Sequence, residues 1–203
     1  GPYILRRLKT DKRVIDDLPD KVESVTYCHL TPGQAKLYAR TVAHLRRSLE
    51  ELSADVDARG KRRGLVLQTL MRLKQACNHP AQLTGEPDWD PAKSGKFERV
   101  AELCREMAER QERVLVFTQF QEIIDPLFRH LENIFGRPGL ILHGGTGVKQ
   151  RKGLVAAFQR EDGPPFFLLS LKAGGTGLNL TAAGQVIHFD RWWNPAVEDQ
   201  ATD

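Results

Sequence analysis

At 203 residues, with 40% hydrophobic and 28% charged side chains, the chain is long enough for one large domain or two small ones and apolar enough for a real core, which excludes a disordered segment. No run of 18 apolar residues and no apolar leader near the start can be found, so a membrane span is excluded and secretion is unsupported. The net charge is only +4, and the three cysteines (Cys28, Cys77, Cys104) are scattered without a CxxC pair, which argues against a disulfide framework or a zinc site and fits a reducing compartment.

The charge is unevenly spread. Residues 1–80 hold 16 Lys and Arg against 9 Asp and Glu, while residues 81–203 hold 14 against 17. A basic front segment suggests a polyanionic partner, and a solvated helical surface is its plainer explanation. The first twenty residues read as a basic connector, with Pro19 disfavouring helix at Leu18. Val22 to Leu30 alternates loosely and is expected as a strand. Thr31-Pro32-Gly33-Gln34 has the parts of a helix start: a capping Thr, Pro in the first turn and Gln to complete a capping box. The helical pattern runs to about Leu52, with Leu37, Val42, Leu45 and Leu49 on one side. Asp57 to Gly64 reads as a charged, Gly-flanked break whose Lys61-Arg62-Arg63 is a solvated loop or, alternatively, a nuclear-import signal. Leu65 to Asn78 is again helical and ends at His79-Pro80. The turn-rich Gly85 to Pro91 is the expected boundary, giving a basic helical segment over 1–90 and a lobe over 91–203.

Beyond that boundary, Ser94 can cap a helix striped by Phe97, Val100, Ala101, Cys104 and Met107. Short apolar strands are expected at 113–117, 139–142, 166–169 and 185–189, with helices at 121–135 and 148–159 between the first three. Such alternation predicts an α/β fold with a doubly wound, mainly parallel sheet. Ligands of these folds bind beyond the carboxyl ends of the strands. The junctions there hold Thr118-Gln119-Phe120, His143-Gly144-Gly145-Thr146-Gly147, Ser170-Leu171-Lys172 running into Gly174-Gly175-Thr176-Gly177, and Asp190-Arg191-Trp192-Trp193. Either Gly-rich loop can cradle phosphate oxygens or can be glycine-rich for steric reasons alone, and Thr146 can bind phosphate or simply cap the next helix. Neither loop is a GxxxxGK(S/T) element, and the chain contains no Asp-Glu dipeptide, so it lacks the usual phosphate loop and acidic pair of nucleotide motors. The six histidines show no metal-ligand spacing. Cys77 and His79 are read as a structural helix terminus rather than a thiol–imidazole pair.

Several stretches in order are more specific than any single loop: ILRRLKTDK from Ile4, LPDKVE from Leu18, LTPGQAKLY from Leu30, RLKQACNHP from Arg72, VLVFTQF from Val114, and SLKAGGTGLNLTAAGQVIHFDRWWNPAVEDQATD from Ser170. Over nearly its whole length the chain resembles the C-terminal half of the motor of SWI/SNF-type ATPases, DNA translocases of helicase superfamily two. The resemblance implies a RecA-like lobe whose partner lobe carries the phosphate loop, with ATP and Mg2+ bound mainly by that partner and double-stranded DNA lying across both. It puts Gly175, Gly177, Asn179 and Gln200 beside the nucleotide. Thr118, Gln119, Gly145, Thr146, Ser170 and Lys172 are implied to face the DNA backbone, and Trp193 to couple the two sites and touch DNA. In the family a QxxxRxxR pattern supplies arginine fingers; here Gln200 opens it and the chain ends at Asp203, before the first arginine. The resemblance therefore implies a protein that remodels protein–DNA complexes inside the cell, in the nucleoid or cytoplasm of a prokaryote or the nucleus of a eukaryote, while this chain alone lacks ATPase activity. A non-enzymatic DNA- or protein-docking module is the alternative, and a Rossmann-type dinucleotide site is disfavoured because Thr118-Gln119-Phe120 is not a GxGxxG turn.

Overall fold

The computed structural model describes residues 22–52, 59–174 and 178–192. Two long helices come first, α1 (Pro32–Glu51) and α2 (Arg59–Asn78), then a short α3 (Pro80–Thr84). The expected capping box is present: the Thr31 hydroxyl accepts from the Gln34 amide, and the Gln34 side chain accepts from the Thr31 amide. Gln34 is also fully buried and donates to the carbonyls of Ala76 and Cys77 at 2.9 and 3.0 Å. One side chain thus caps α1 and fastens it to the end of α2. The expected break is shorter than the sequence suggested, because Lys61-Arg62-Arg63 lies in the first turns of α2. Lys and Arg favour helix enough to carry Gly60 and Gly64, each of which costs about 1 kcal/mol relative to alanine.

Val22 to Leu30 is not the expected strand. It is exposed, with no sheet partner among the described residues, because strand pairing is decided by distant chain and alternation alone cannot supply it. The segment does run close against the start of the next helix. A Cβ on Gly95 would lie 1.8 Å from the His29 carbonyl oxygen, so only glycine fits there.

A 3-10 turn over Pro91–Lys93 leads into α4 (Gly95–Glu109), which Ser94 caps by accepting from the Phe97 amide. Then follow β1 (Val114–Thr118), α5 (Ile124–Phe135), β2 (Leu140–Leu142), α6 (Val148–Gln159), β3 (Phe166–Ser170), α7 (Leu171–Gly174) and β4 (Gln185–His188). The four strands pair in parallel in the order β2-β3-β1-β4, with Val114 opposite Phe166 and Gln185. Period-two alternation sorts their side chains onto two faces. Val114, Val116, Phe166 and Leu168 pack with α4 and α5 residues such as Phe97, Cys104 and Leu127. Leu115, Phe117, Phe167 and Leu169 pack on the other face with Leu154 and Phe158 of α6. The chain moves outward from β1 to β2 and back to β3, so helices on opposite faces are what two crossovers of one hand require. All four strands consequently end at the same edge.

The basic helices are pinned to this sheet. The Ser94 hydroxyl donates to the Asn78 carbonyl, and His79 is stacked on Trp89 at 5.0 Å and edge-on to Phe97 at 5.3 Å.

Candidate nucleic-acid interface at the strand ends

At the end of β4, Asp190 is 2% exposed. Its carboxylate accepts from the Thr118 hydroxyl at 2.6 Å, the Gln119 amide at 2.9 Å and, more weakly, the Asn78 side chain at 3.4 Å. Lys96 donates to Asn78 Oδ1 at 2.8 Å and to the Phe189 carbonyl at 3.1 Å, with its ammonium 5.4 Å from the Phe189 ring centroid. Burial pushes the Asp190 carboxyl above its usual range, against the lowering by Thr118, Gln119 and Lys96. It pushes Lys96 below its usual range, against the raising by Asp190. Each charge is tolerated because the other is near. One residue on, the Arg191 carbonyl accepts from Gln119 Nε2 at 3.1 Å and from Lys74 Nζ. The ends of β1, β4, α2 and the start of α4 are therefore one hydrogen-bonded unit.

This unit corrects the expectation for Thr118. Its side chain is fully buried and holds Asp190, so it does not face outward. Gln119 is half-buried and spends its amide donor on Arg191. The loop after β2 is likewise locked on itself: the His143 amide donates to the Thr146 hydroxyl at 3.2 Å, the Thr146 amide to the His143 carbonyl at 2.9 Å, and the Gly145 amide to His143 Nδ1 at 3.1 Å. Thr146 is buried and does not face outward, and Gly147, with no side-chain cap, occupies the cap position of α6 instead of Thr146. Gly145 is exposed and closely overlain by the His143 ring. Between this loop, Gln121, Asp125 of α5 and Gln150 of α6 lies a cleft of about 390 Å³.

Ser170 faces Thr118 in register at the end of β3, and its hydroxyl is enclosed without a hydrogen-bond partner among the described residues. Lys172 is exposed in α7. Asn179 is exposed, and its carbonyl accepts from Gln159 Nε2 at 3.0 Å, while Gln159 Oε1 takes the Ala182 amide at 2.8 Å. Gly175, Gly177, Trp193 and Gln200 lie outside the described residues. Among the described residues, no three His, Cys, Asp or Glu side chains are grouped to hold a metal ion, and no helix is long and apolar enough to cross a membrane.

The Cys-Asn-His-Pro stretch is structural. The Ala81 amide donates to His79 Nδ1 at 3.1 Å, and His79 Nε2 lies 2.9 Å from the Asp90 carbonyl, which fixes a neutral ring protonated at Nε2. Burial pushes the Cys77 thiol up, the opposite of what a nucleophile needs. The sequence reading missed Asp190, Asn78, Lys74 and Lys96 as a group. Its signal was slight: polar residues directly after apolar elements, on segments far apart in the chain.

The kin of this edge follow from comparison with known proteins. Residues 95–203 match the helicase conserved C-terminal domain, and residues 1–82 match the SNF2-related domain. The chain belongs to the SNF2 family. Its fold is that of a SNF2 RecA-like lobe: it superimposes on the Sulfolobus solfataricus SWI2/SNF2 ATPase C-terminal domain with a TM-score of 0.77 at 38% identity, covering 89% of this chain and 76% of that one. It also matches the Sulfolobus solfataricus SWI2/SNF2 ATPase core in complex with double-stranded DNA, with a TM-score of 0.79 at 39% identity, covering all of this chain and 41% of that one. Among SNF2-type sequences it is 43% identical to the Bacillus subtilis putative ATP-dependent helicase/translocase YwqA, covering all of this chain and 22% of that protein. It is 36% identical to the rice DNA excision repair protein CSB, covering all of this chain and 16% of that one. The chain thus spans about a fifth of the length of such relatives.

Proposed function

We propose that this chain is the C-terminal motor lobe of an ATP-dependent translocase that moves along double-stranded DNA and remodels protein–DNA complexes. The observation that carries the reading is the single bonded unit joining Thr118, Gln119, Asp190 and Arg191 at the shared edge of a SNF2-family sheet. A lobe that pulls on a phosphate backbone has to carry load between its loops without deforming, and buried, mutually satisfied polar groups supply that stiffness. On this reading Lys172, Gly145 and the exposed part of Gln119 meet the backbone at the edge and Trp193 couples the two sites, while Thr118 and Thr146 act from behind by holding Asp190 and the loop after β2, and Ser170, its hydroxyl enclosed, borders the contact from behind. Gly175, Gly177, Asn179 and Gln200 face the nucleotide, and the Mg2+ ligands lie on the partner lobe. ATP hydrolysis there supplies the energy for cyclic closure of the two lobes. Residues 1–90 form the basic entry and 91–203 the lobe proper. Grip on phosphates reads no bases, so DNA binding is sequence-tolerant and weakens steeply with salt. The protein works inside the cell, wherever its DNA is held.

Triplex displacement tests the reading. The intact protein carrying this chain should, with ATP, release a third strand from a duplex without separating the duplex strands. Strand separation, or no release at any salt concentration that permits binding, would overturn it.

A further inference from the structure

The α1–α2 pair is a projecting arm. Its base is held to the start of α4 by Gln34, which accepts from the Gly95 amide, and to the strand ends by Asn78 and Lys74. Away from that base, no residue from Val42 to Leu52 or from Arg59 to Gln68 is buried. From Asn78 back to Arg59, α2 extends about 28 Å at about 1.5 Å per residue.

The arm is strongly basic. Residues 32–78 carry ten Lys and Arg against four acids, Glu50, Glu51, Asp55 and Asp57. Eight of the cations are exposed, and seven of these (Lys36, Arg40, Arg46, Arg47, Arg59, Arg63, Arg72) form no ion pair among the described residues. Lys36, Arg40 and Arg47 fall on one flank of α1, since steps of four and seven residues return nearly to the same direction, and they extend over about 16 Å. Arg59 and Arg63 form a similar pair on α2. Such a surface costs self-repulsion and contributes nothing to the core, so its charge finds its use outside the chain. Six of these ten cations would have to be lost to bring the arm to neutrality. Arginine outnumbers lysine in it, and the guanidinium fork suits phosphate oxygens.

We infer that the α1–α2 arm is a second contact for the phosphate backbone of double-stranded DNA, extending the grip of the motor beyond the strand-end loops. The inference rests on the motor reading above for the identity of the polyanion. The arm starts at the edge where Gln119 and Arg191 meet Lys74, so a duplex leaving that edge can run along it. About 28 Å of arm corresponds to roughly eight base pairs at 3.4 Å each. The contact would be sequence-independent and would lengthen the bound footprint.

The test uses the intact protein and duplexes of about 12 and about 40 base pairs, with affinity measured across salt concentrations. The combined change Arg40→Gln, Arg47→Gln and Arg63→Gln removes three exposed charges from helices that glutamine suits well. Affinity for the long duplex should fall at least about fivefold, and the slope of log affinity on log salt should shrink by roughly two to three. ATP hydrolysis stimulated by the short duplex and the thermal midpoint should stay unchanged, and Arg→Lys at the same positions should keep most of the affinity. Unchanged long-duplex affinity and slope would overturn the inference. So would normal duplex binding joined to lost capture of polyglutamate, which would assign the arm to an acidic protein. If the unaltered protein binds neither duplex, the motor reading fails first and this inference with it.

Discussion

Asp190 shows how one buried carboxylate can organise loops that lie 71 and 72 residues away in sequence. Its removal and its neutralisation should differ sharply. Asp190→Ala strands the Thr118 hydroxyl and the Gln119 amide without an acceptor, and each buried unsatisfied group costs about 1–3 kcal/mol, so a loss of about 2–4 kcal/mol is expected. Asp190→Asn keeps an acceptor for the Gln119 amide, lets its own NH2 donate to the Thr118 hydroxyl, and relieves the burial that already pushes the carboxyl upward. It leaves the buried Lys96 without its counter-charge just as Asp190→Ala does, so it still costs stability, but about 1–3 kcal/mol less than Asp190→Ala. Urea unfolding of the two variants measures the difference, and equal losses would show that the hydrogen bonds do not carry the unit. The family resemblance implied Thr118 and Thr146 as backbone contacts. It could not show that both are buried, because the direction of each side chain is set by partners, such as Asp190, that only folding brings near.

At the scale of elements, local signals were legible and distant ones were not. The capping box at Thr31, the cap at Ser94 and the bounds of α6 at Val148–Gln159 depend on residues within one or two turns, and the structure has them as read. The strand expected at Val22–Leu30 failed because a strand needs a neighbour. The junction of α2 and α3 carries its own pH dependence. His79 Nδ1 must stay unprotonated to accept the Ala81 amide, and burial holds the ring below its ordinary value of about 6.5, outweighing Asp88 and Asp90 nearby. His130, enclosed against Phe97, is lowered in the same way. As pH falls through about 6.5, the unfolded chain takes up protons first, so stability declines towards the lower pKa of the folded rings. The urea midpoint should therefore drop between pH 7.5 and 5.5. His79→Asn keeps a capping oxygen without the titration and should flatten part of that drop, whatever its effect on stability at pH 7.5. A slope identical to that of the unaltered chain would refute the role given to His79.

For the molecule as a whole, the net charge of +4 was a poor guide and its distribution a better one. The strand-end edge lies in the part of the chain with slight negative balance, and it is built from placement: Lys172 exposed, Asp190 buried and neutralised by Lys96 and hydrogen bonds. The basic surplus sits on the α1–α2 arm. The fold class was legible because alternating strands and helices leave few arrangements, and the SNF2 kinship because its motifs occur in order over almost the whole chain. What the motifs could not convey was the division of labour at the edge, where some motif residues meet solvent and others brace them from within. The central claim is that this edge is one half of a DNA-driven ATPase. Its most direct test is the rate of ATP hydrolysis with and without double-stranded DNA, measured for the intact protein, for the same protein carrying Lys172→Ala, and for this 203-residue chain alone. The account predicts stimulation by DNA in the intact protein, a raised DNA requirement in Lys172→Ala, and no hydrolysis by the chain, which holds neither GxxxxGK(S/T) nor an Asp-Glu pair. Hydrolysis by the chain alone, or an intact protein indifferent to DNA, would contradict it.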